Sequence, residues 1–416
     1  MKLKIPALVV LAALAVSAGE SGAAERFRPA TPDDVVLRVP ARAQNDPIVV
    51  LEQQHEKTPT DQRAAAELAA LYVERAREQR EARYFGRAEM LLQPWVSRAD
   101  ASAVTLRVQA DILQNRHDFA GATALLDAAI GHEPRDAGAR LMRASVKVVQ
   151  GHAAEARADC AAVLGTGATA AGTVCLAQVL SATGKLSQAE VLLKTVLPRE
   201  AASPESVSYS RVASVQTATA DAVVARLAPP QTFSSQILGW AFWLQADCAD
   251  RRGDFRAAEQ HLRASLAATP TNEGVRAALS DLLIARGALR EAIRVVDLPA
   301  PSTGLLERRA RAQQLLGDSG LSATRAQIDD LLSLASRRGE RPHLREEALL
   351  ALDVDGDAER ALELAKANFA IQRETIDARL LVRAAKAHGD RDAIETVAKW
   401  MRETGFEDRA LAEIRT

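Results

Sequence analysis

Aromatic side chains are scarce in this chain of 416 residues, where Phe, Trp and Tyr together make 4%. So few rings cannot furnish an interior of large flat side chains, yet hydrophobic residues still reach 48%, much of it alanine. Alanine has the best helix propensity and lets neighbouring backbones approach closely. The composition therefore points to tightly packed helices. Strand signals are weak, because the longer segments carry helical rather than alternating periodicity. Charge of one sign is also missing: the net charge is −1. A near-neutral chain gives no electrostatic reason to expect nucleic acid or an anionic membrane surface as partner. Cysteine is reduced to Cys160, Cys175 and Cys248. An odd count without CxxC spacing is not a disulfide framework. The simpler reading is small buried hydrophobes, with a Cys160–Cys175 bridge left open as the alternative.

Long apolar runs are absent beyond the start of the chain. Met1-Lys2-Leu3-Lys4 is a short basic stretch, and Ile5 to Ala18 is apolar or small throughout. Small residues follow, with cleavage expected after Ala18 or Ala24. Residues 1–24 thus read as a secretory signal peptide, too short in its apolar part to span a bilayer. No cysteine follows either site, which argues against a lipid anchor. The expected destination is the periplasm or the outside of the cell.

Catalytic spacing is missing as well. No HExxH, GxSxG or GxxxxGK[ST] occurs, so zincin, hydrolase-elbow and P-loop chemistry have no foothold. His55, His117, His132, His152, His261, His343 and His388 are scattered, and none has another His three or four residues away. The expectation is no enzyme, no metal and no cofactor.

What is present is a repeat. Ala88, Ala122, Ala156, Ala258, Ala292 and Ala326 stand on one ladder of step 34, and Ala189 and Ala361 miss it by one residue. Five residues before these alanines stand Gly151, Gly184, Gly253, Gly287 and Gly356, where 22 glycines in 416 residues would place fewer than one by chance. Three before them lie Phe85, Phe119, Ala153, Leu186, Phe255, Leu289, Ala323 and Ala358. Twelve before them, small residues recur: Ala110, Ala144, Ala177, Ala246 and Ser280. Pro134 and Pro270 lie twelve after. Each has a physical task. Glycine ends a first helix in the left-handed conformation at little cost, the apolar residue after it fills the space beneath the turn, small residues let two antiparallel helices close, and proline stops the second helix.

This pattern resembles the tetratricopeptide repeat, over roughly 60–200 and 238–405. It is strong at 103–136, 137–169, 170–202, 239–272 and 273–303. It is weaker at 304–338, 342–375 and 376–404, where Gln314 and Leu349 fill slots usually held by small residues. The resemblance implies an all-α fold, an α-solenoid of stacked antiparallel helix pairs whose concave face is lined by the first helix of each pair. By the family's groove positions, it implies partner-binding residues Arg107, Asp111, Gln114, Asn115, Gln178, Trp240, Trp243, Asp247, Asp250 and Arg251. Tryptophan and arginine dominate interface hot spots, so Trp240 and Trp243 are the expected anchors. The carboxylate clamp of chaperone-tail binders is absent, because its slots hold Ala66 and Ala70, then Arg107 and Asp111.

Three departures complete the expected organisation. Residues 25–59 read as an extended or irregular segment with proline-rich Arg26–Pro40 at its heart. Seven extra residues separate Ala69 from Ala88, enough to lengthen a helix or its connecting loop, and Glu74 to Arg87 reads as a solvated helix with Glu–Arg pairs. Residues 203–237, rich in Ser, Thr and Pro, read as an insertion between an N-terminal arm at 60–202 and a C-terminal arm at 238–416. The expected function is a non-enzymatic protein-binding adaptor holding a protein or peptide partner in the groove. A structural or assembly role in the cell envelope, through terminal or edge surfaces, is the alternative.

Overall fold

The computed structural model describes residues 46–79, 83–197, 234–337 and 343–415. The expected signal peptide, the segment Arg26–Pro40 and most of the insertion at 203–237 lie outside them. Among the described residues there is no strand. A leading helix α1 (Pro47–Lys57) is followed by helix pairs α2 (Gln62–Gln79) and α3 (Arg83–Val96), α4 (Ala103–Asn115) and α5 (Phe119–His132), α6 (Ala137–Val149) and α7 (Ala153–Gly165), α8 (Thr169–Ala182) and α9 (Leu186–Val196). Beyond the insertion come α10 (Ser235–Arg252) and α11 (Phe255–Ala268), α12 (Glu273–Ala285) and α13 (Leu289–Val296), α14 (Thr303–Leu316) and α15 (Leu321–Arg337). α16 (Leu344–Leu350) runs into a π-helical turn at Ala351–Asp355 and pairs with α17 (Ala358–Ile371). α18 (Thr375–His388) and α19 (Arg391–Thr404) make the last full pair, before a short α20 (Ala412–Arg415). Successive helices pack on one another, except that α16 seats on α14 rather than α15, giving an α-solenoid.

The repeat residues do what their spacing requires. Ala88, Ala122, Ala156, Ala189, Ala258, Ala292 and Ala361 are fully buried, as are Ala110, Ala177 and Ser280 on the facing helices. Gly151, Gly184, Gly253, Gly287 and Gly356 all have positive φ, between 68° and 83°. Side chains of Ser102, Asp118, Asp136, Asp254, Asn272, Ser302, Asp357 and Asp390 accept from the first-turn N–H groups of the helices they precede. Each satisfies a backbone donor that the helix itself cannot.

Four expectations are corrected. Pro47–Lys57 is helical where irregular chain was expected: Asp46 caps it, accepting from the Ile48 N–H at 3.0 Å, and Pro47 stands at the first helical position, where a missing N–H is harmless. Ala326 is exposed, although it stands on the ladder. Gly317 ends α14 but α15 starts only at Leu321, so a longer turn slides the register and Thr324 takes the buried slot. Phe255, expected beneath its turn, is 45% exposed. Finally, Cys160 and Cys175 form a disulfide, with Cα atoms 5.4 Å apart, while Cys248 is a buried free thiol. In sequence the two cysteines read best as separate; the period brings α7 and α8 face to face and joins them.

The core crosses the insertion without a break. Val174, Ala177, Leu193 and Val196 of α8 and α9 share one cluster with Ala241, Leu244 and Cys248 of α10. The two arms are therefore one continuous stack.

Candidate functional site

The inner face of the solenoid encloses a cavity of about 1610 Å³, lined chiefly by the first helices of the pairs. Seven of the ten expected groove residues line it: Gln114, Gln178, Trp240, Trp243, Asp247, Asp250 and Arg251. Arg107, Asp111 and Asn115 do not belong to its wall. Arg107 lies 3.2 Å from Asp136 in an ion pair, Arg77 reaches Asp111 at 2.5 Å, and the Asn115 amide donates to the Asp111 carbonyl at 2.7 Å. These three are held by their own and adjoining units.

The cavity is larger than the few hundred to a thousand cubic ångströms of an ordinary small-molecule pocket. One stretch of its wall is apolar. Trp240 and Trp243 are half-buried and each serves two masters: Trp240 packs on the α8–α10 and α6–α8 clusters, Trp243 on the α8–α10 and α10–α12 clusters, while both still face the cavity. Leu315, at the end of α14, also lines the cavity and is 63% exposed.

Another part of the lining is built from paired charges that the sequence did not disclose. Arg308 of α14 donates to Asp281 of α12 through Nε at 3.1 Å and Nη2 at 2.9 Å, and Arg311 adds a third bond at 2.6 Å. Arg311 also lies 2.6 Å from Asp353, which pairs with Arg383 of α18. Asp353 sits in the π-helical turn, one residue wider than an α-turn, and that turn presents it to the two arginines. Burial works against the Asp281 carboxylate, but Arg308 and Arg311 overcome it and hold its pKa below the usual value. Glu307 receives the weaker share: Arg308 and Arg311 stand 3.2 and 3.3 Å away, and neither of its oxygens accepts an aligned hydrogen bond. Burial consequently pushes its carboxyl up to about 7.

The remaining wall is where the solenoid returns on itself. Thr375 of α18 donates to Asp247 at 2.8 Å, and Arg379 donates to Asp250 at 2.6 Å and to Asp408 at 2.7 Å. Arg251, 2% exposed, donates to the Glu407 carbonyl at 2.7 Å and to Ser181 Oγ at 2.8 Å, with its guanidinium 3.9 Å from the Phe406 ring centre. The Arg373 N–H donates to the Val149 carbonyl at 2.7 Å. Gly184 and Gly405, both left-handed, meet back to back: a Cβ on Gly184 would collide with the Gly405 carbonyl. Asp247, Asp250 and Arg251, expected to receive a partner, thus hold the chain's own C-terminal pair. Burial raises the Asp250 carboxyl and Arg379 offsets it only in part.

Among the described residues no group of three His, Cys, Asp or Glu is placed to hold a metal ion, and no helix is long and apolar enough to cross a membrane. Cys248 lies against Ser181 and Asp247, and burial pushes its thiol up to about 11.

This architecture defines a class, the α-solenoid built from paired helices. Residues 251–318 match the family model of the tetratricopeptide repeat. The chain resembles in fold a tetratricopeptide repeat protein from Parabacteroides merdae at 12% identity, over 76% of this chain and 98% of that one, with a TM-score of 0.35. The human IFIT1 dimer with PPP-AAAA is similar at 12% identity over 88% and 87%, TM-score 0.40. The P58(IPK) TPR domain is similar at 12% over 83% and 95%, TM-score 0.22. No curated protein matches the chain.

Proposed function

We propose that the protein is a non-enzymatic adaptor that holds a segment of a protein partner on its inner face, in the periplasm or outside the cell. The observation that carries this reading is the apolar part of the cavity lining, the half-buried Trp240 and Trp243 and the exposed Leu315, in a lining shared with Gln114 and Gln178. Such half-covered aromatic anchors are what interface hot spots use. The Cys160–Cys175 bridge supports the location, because disulfides persist in oxidising compartments and are rare in the reducing cytosol.

The test combines position and loss. A photoreactive residue at position 178 is expected to crosslink a defined partner, which the same residue at Val191, exposed on the outer helix α9, does not. Trp243→Ala is expected to abolish that crosslink. Equal crosslinking from 178 and 191 would remove the inner face as the binding site. A second reading, contact through the outer surface in an envelope assembly, is favoured by Met90, 73% exposed on α3, and by Val191. Substituting both by serine is expected to leave crosslinking from 178 unchanged; its disappearance would support the outer-surface reading.

A further inference from the structure

The segment Thr404–Arg409, whose Phe406 also packs on Trp400 of its own pair at 4.6 Å, lies against Arg251 and the Gly253 turn of α10. Phe406 lies under the Arg251 guanidinium, the Glu407 carbonyl accepts from Arg251 Nε, and Asp408 accepts from Arg379, which bridges to Asp250. Arg409 packs against Gly253, its Nη1 3.3 Å from where a Cβ would stand. One aromatic ring, one main-chain carbonyl and one carboxylate are thus read in sequence order by two arginines from different helices. We infer that this face of α10, with Arg379 beside it, is a recognition surface for a protein segment with an aromatic residue followed by acidic residues. In this structure the chain's own segment of that chemistry occupies it. The inference rests on the adaptor reading and names the partner chemistry of part of the same inner face.

Two features make the closure separable from the stability of the units. The contact joins surfaces of residues far apart in sequence, such as Arg251 with Glu407, whereas each helix pair draws its core from its neighbours. It also depends on two bare backbones meeting at Gly184 and Gly405. A tethered segment acts at an effective concentration of about millimolar. A free segment therefore competes only for the open fraction, and its apparent affinity is reduced by that fraction.

The experiment uses the whole chain and a fluorescent peptide of residues 402–411. Gly184→Ala wedges the turns apart; Gly287→Ala carries a similar left-handed backbone, φ +75° against +74°, with nothing within 4 Å of the new methyl. By anisotropy, Gly184→Ala is expected to bind the peptide about tenfold or more tighter than either wild type or Gly287→Ala. The same peptide with alanine in place of its phenylalanine is expected to lose that binding. Equal affinity of all three proteins, or indifference to the phenylalanine, overturns the inference. Should Gly184→Ala not fold, Asp408→Ala, which strips the tethered segment of its own carboxylate and keeps both glycine turns and both arginines, replaces it under the same criteria. Crosslinking from position 178 that persists while the peptide fails removes this inference and leaves the adaptor reading standing.

Discussion

Breaking the Cys160–Cys175 bridge is the perturbation whose size is most directly set by the structure. The two cysteines are 15 residues apart and join α7 to α8, the second helix of one pair to the first of the next. Closing a loop of that length in the unfolded chain removes conformational freedom equivalent to about 3 kcal/mol at 25 °C. In a stack where each unit leans on its neighbours, that loss falls on the pairs it joins. Those pairs carry Val149, whose carbonyl accepts from the Arg373 N–H just ahead of α18, and Ser181, which accepts from Arg251 of α10. Urea unfolding followed by circular dichroism, with and without reductant, is therefore expected to show a low-urea phase in the reduced protein. At about 2 kcal/mol per molar urea, the displacement is about 1.5 M. Cys160→Ala/Cys175→Ala should follow the reduced wild type, shifted slightly further by the small void. Both sulfurs are buried among Ala144, Ala156 and Val179, so reduction should need prior loosening in urea. Thiol titration of the unreduced protein in denaturant should find one thiol, that of Cys248, against three after reduction. Three thiols without reductant, or coincident unfolding curves, would refute the reasoning.

Other outcomes follow from the buried charges. Burial lifts Glu307 from 4.5 to about 7; a raised carboxyl favours the fold when protonated, so its contribution is complete below pH about 4.5. It is lost as pH rises through about 7, by about 3 kcal/mol. Glu307→Gln should flatten that decline in urea unfolding between pH 5 and 8, and parallel profiles would count against it. Asp159, 1% exposed, pairs with Arg143, Arg140 and Lys147. Removing it leaves three cations facing one another, and Asp159→Ala should cost about 3–5 kcal/mol, checked by the same assay; a cost under about 1 kcal/mol would show the cations relax into solvent. Cys248, buried and with its thiol raised to about 11, should resist iodoacetamide at pH 8 until the protein unfolds, which mass spectrometry reads directly.

The repeat was legible because its signals are local. A glycine five residues before a buried alanine marks a turn that needs φ > 0, and the structure puts positive φ at every glycine of the ladder. Of the three slots without glycine, His117 also obeys, taking φ 56° with its ring edge-on to Phe119 at 5.7 Å, whereas Arg83 and Leu321 begin helices. The slip at Ala326 also has a local mark, since Gly317 and Gly320 both stand between α14 and α15. Three signals were not local. The disulfide depends on how two helices face. The arginine–carboxylate wall joins α12, α14, α16 and α18, each carboxylate being indistinguishable in sequence from those on a solvated face. The closure depends on the accumulated rotation of the whole stack, to which a residue-by-residue reading is blind.

That blindness explains why the groove residues divide as they do. The family positions pick out side chains by their place on the first helix of a pair, which fixes the face they occupy but not what that face meets. For Gln178, Trp240 and Trp243 the face meets the cavity, and they remain at its wall. For Asp247, Asp250 and Arg251, one or two turns further along α10, the face meets α18 and the segment after α19. The same positions therefore carry two kinds of contact, divided within a single helix. Tryptophan lies on the side left open, and the charged residues lie on the side that the chain has closed. A partner entering the cavity needs only the first; one that displaces the C-terminal pair must answer the second with an aromatic ring and a carboxylate of its own.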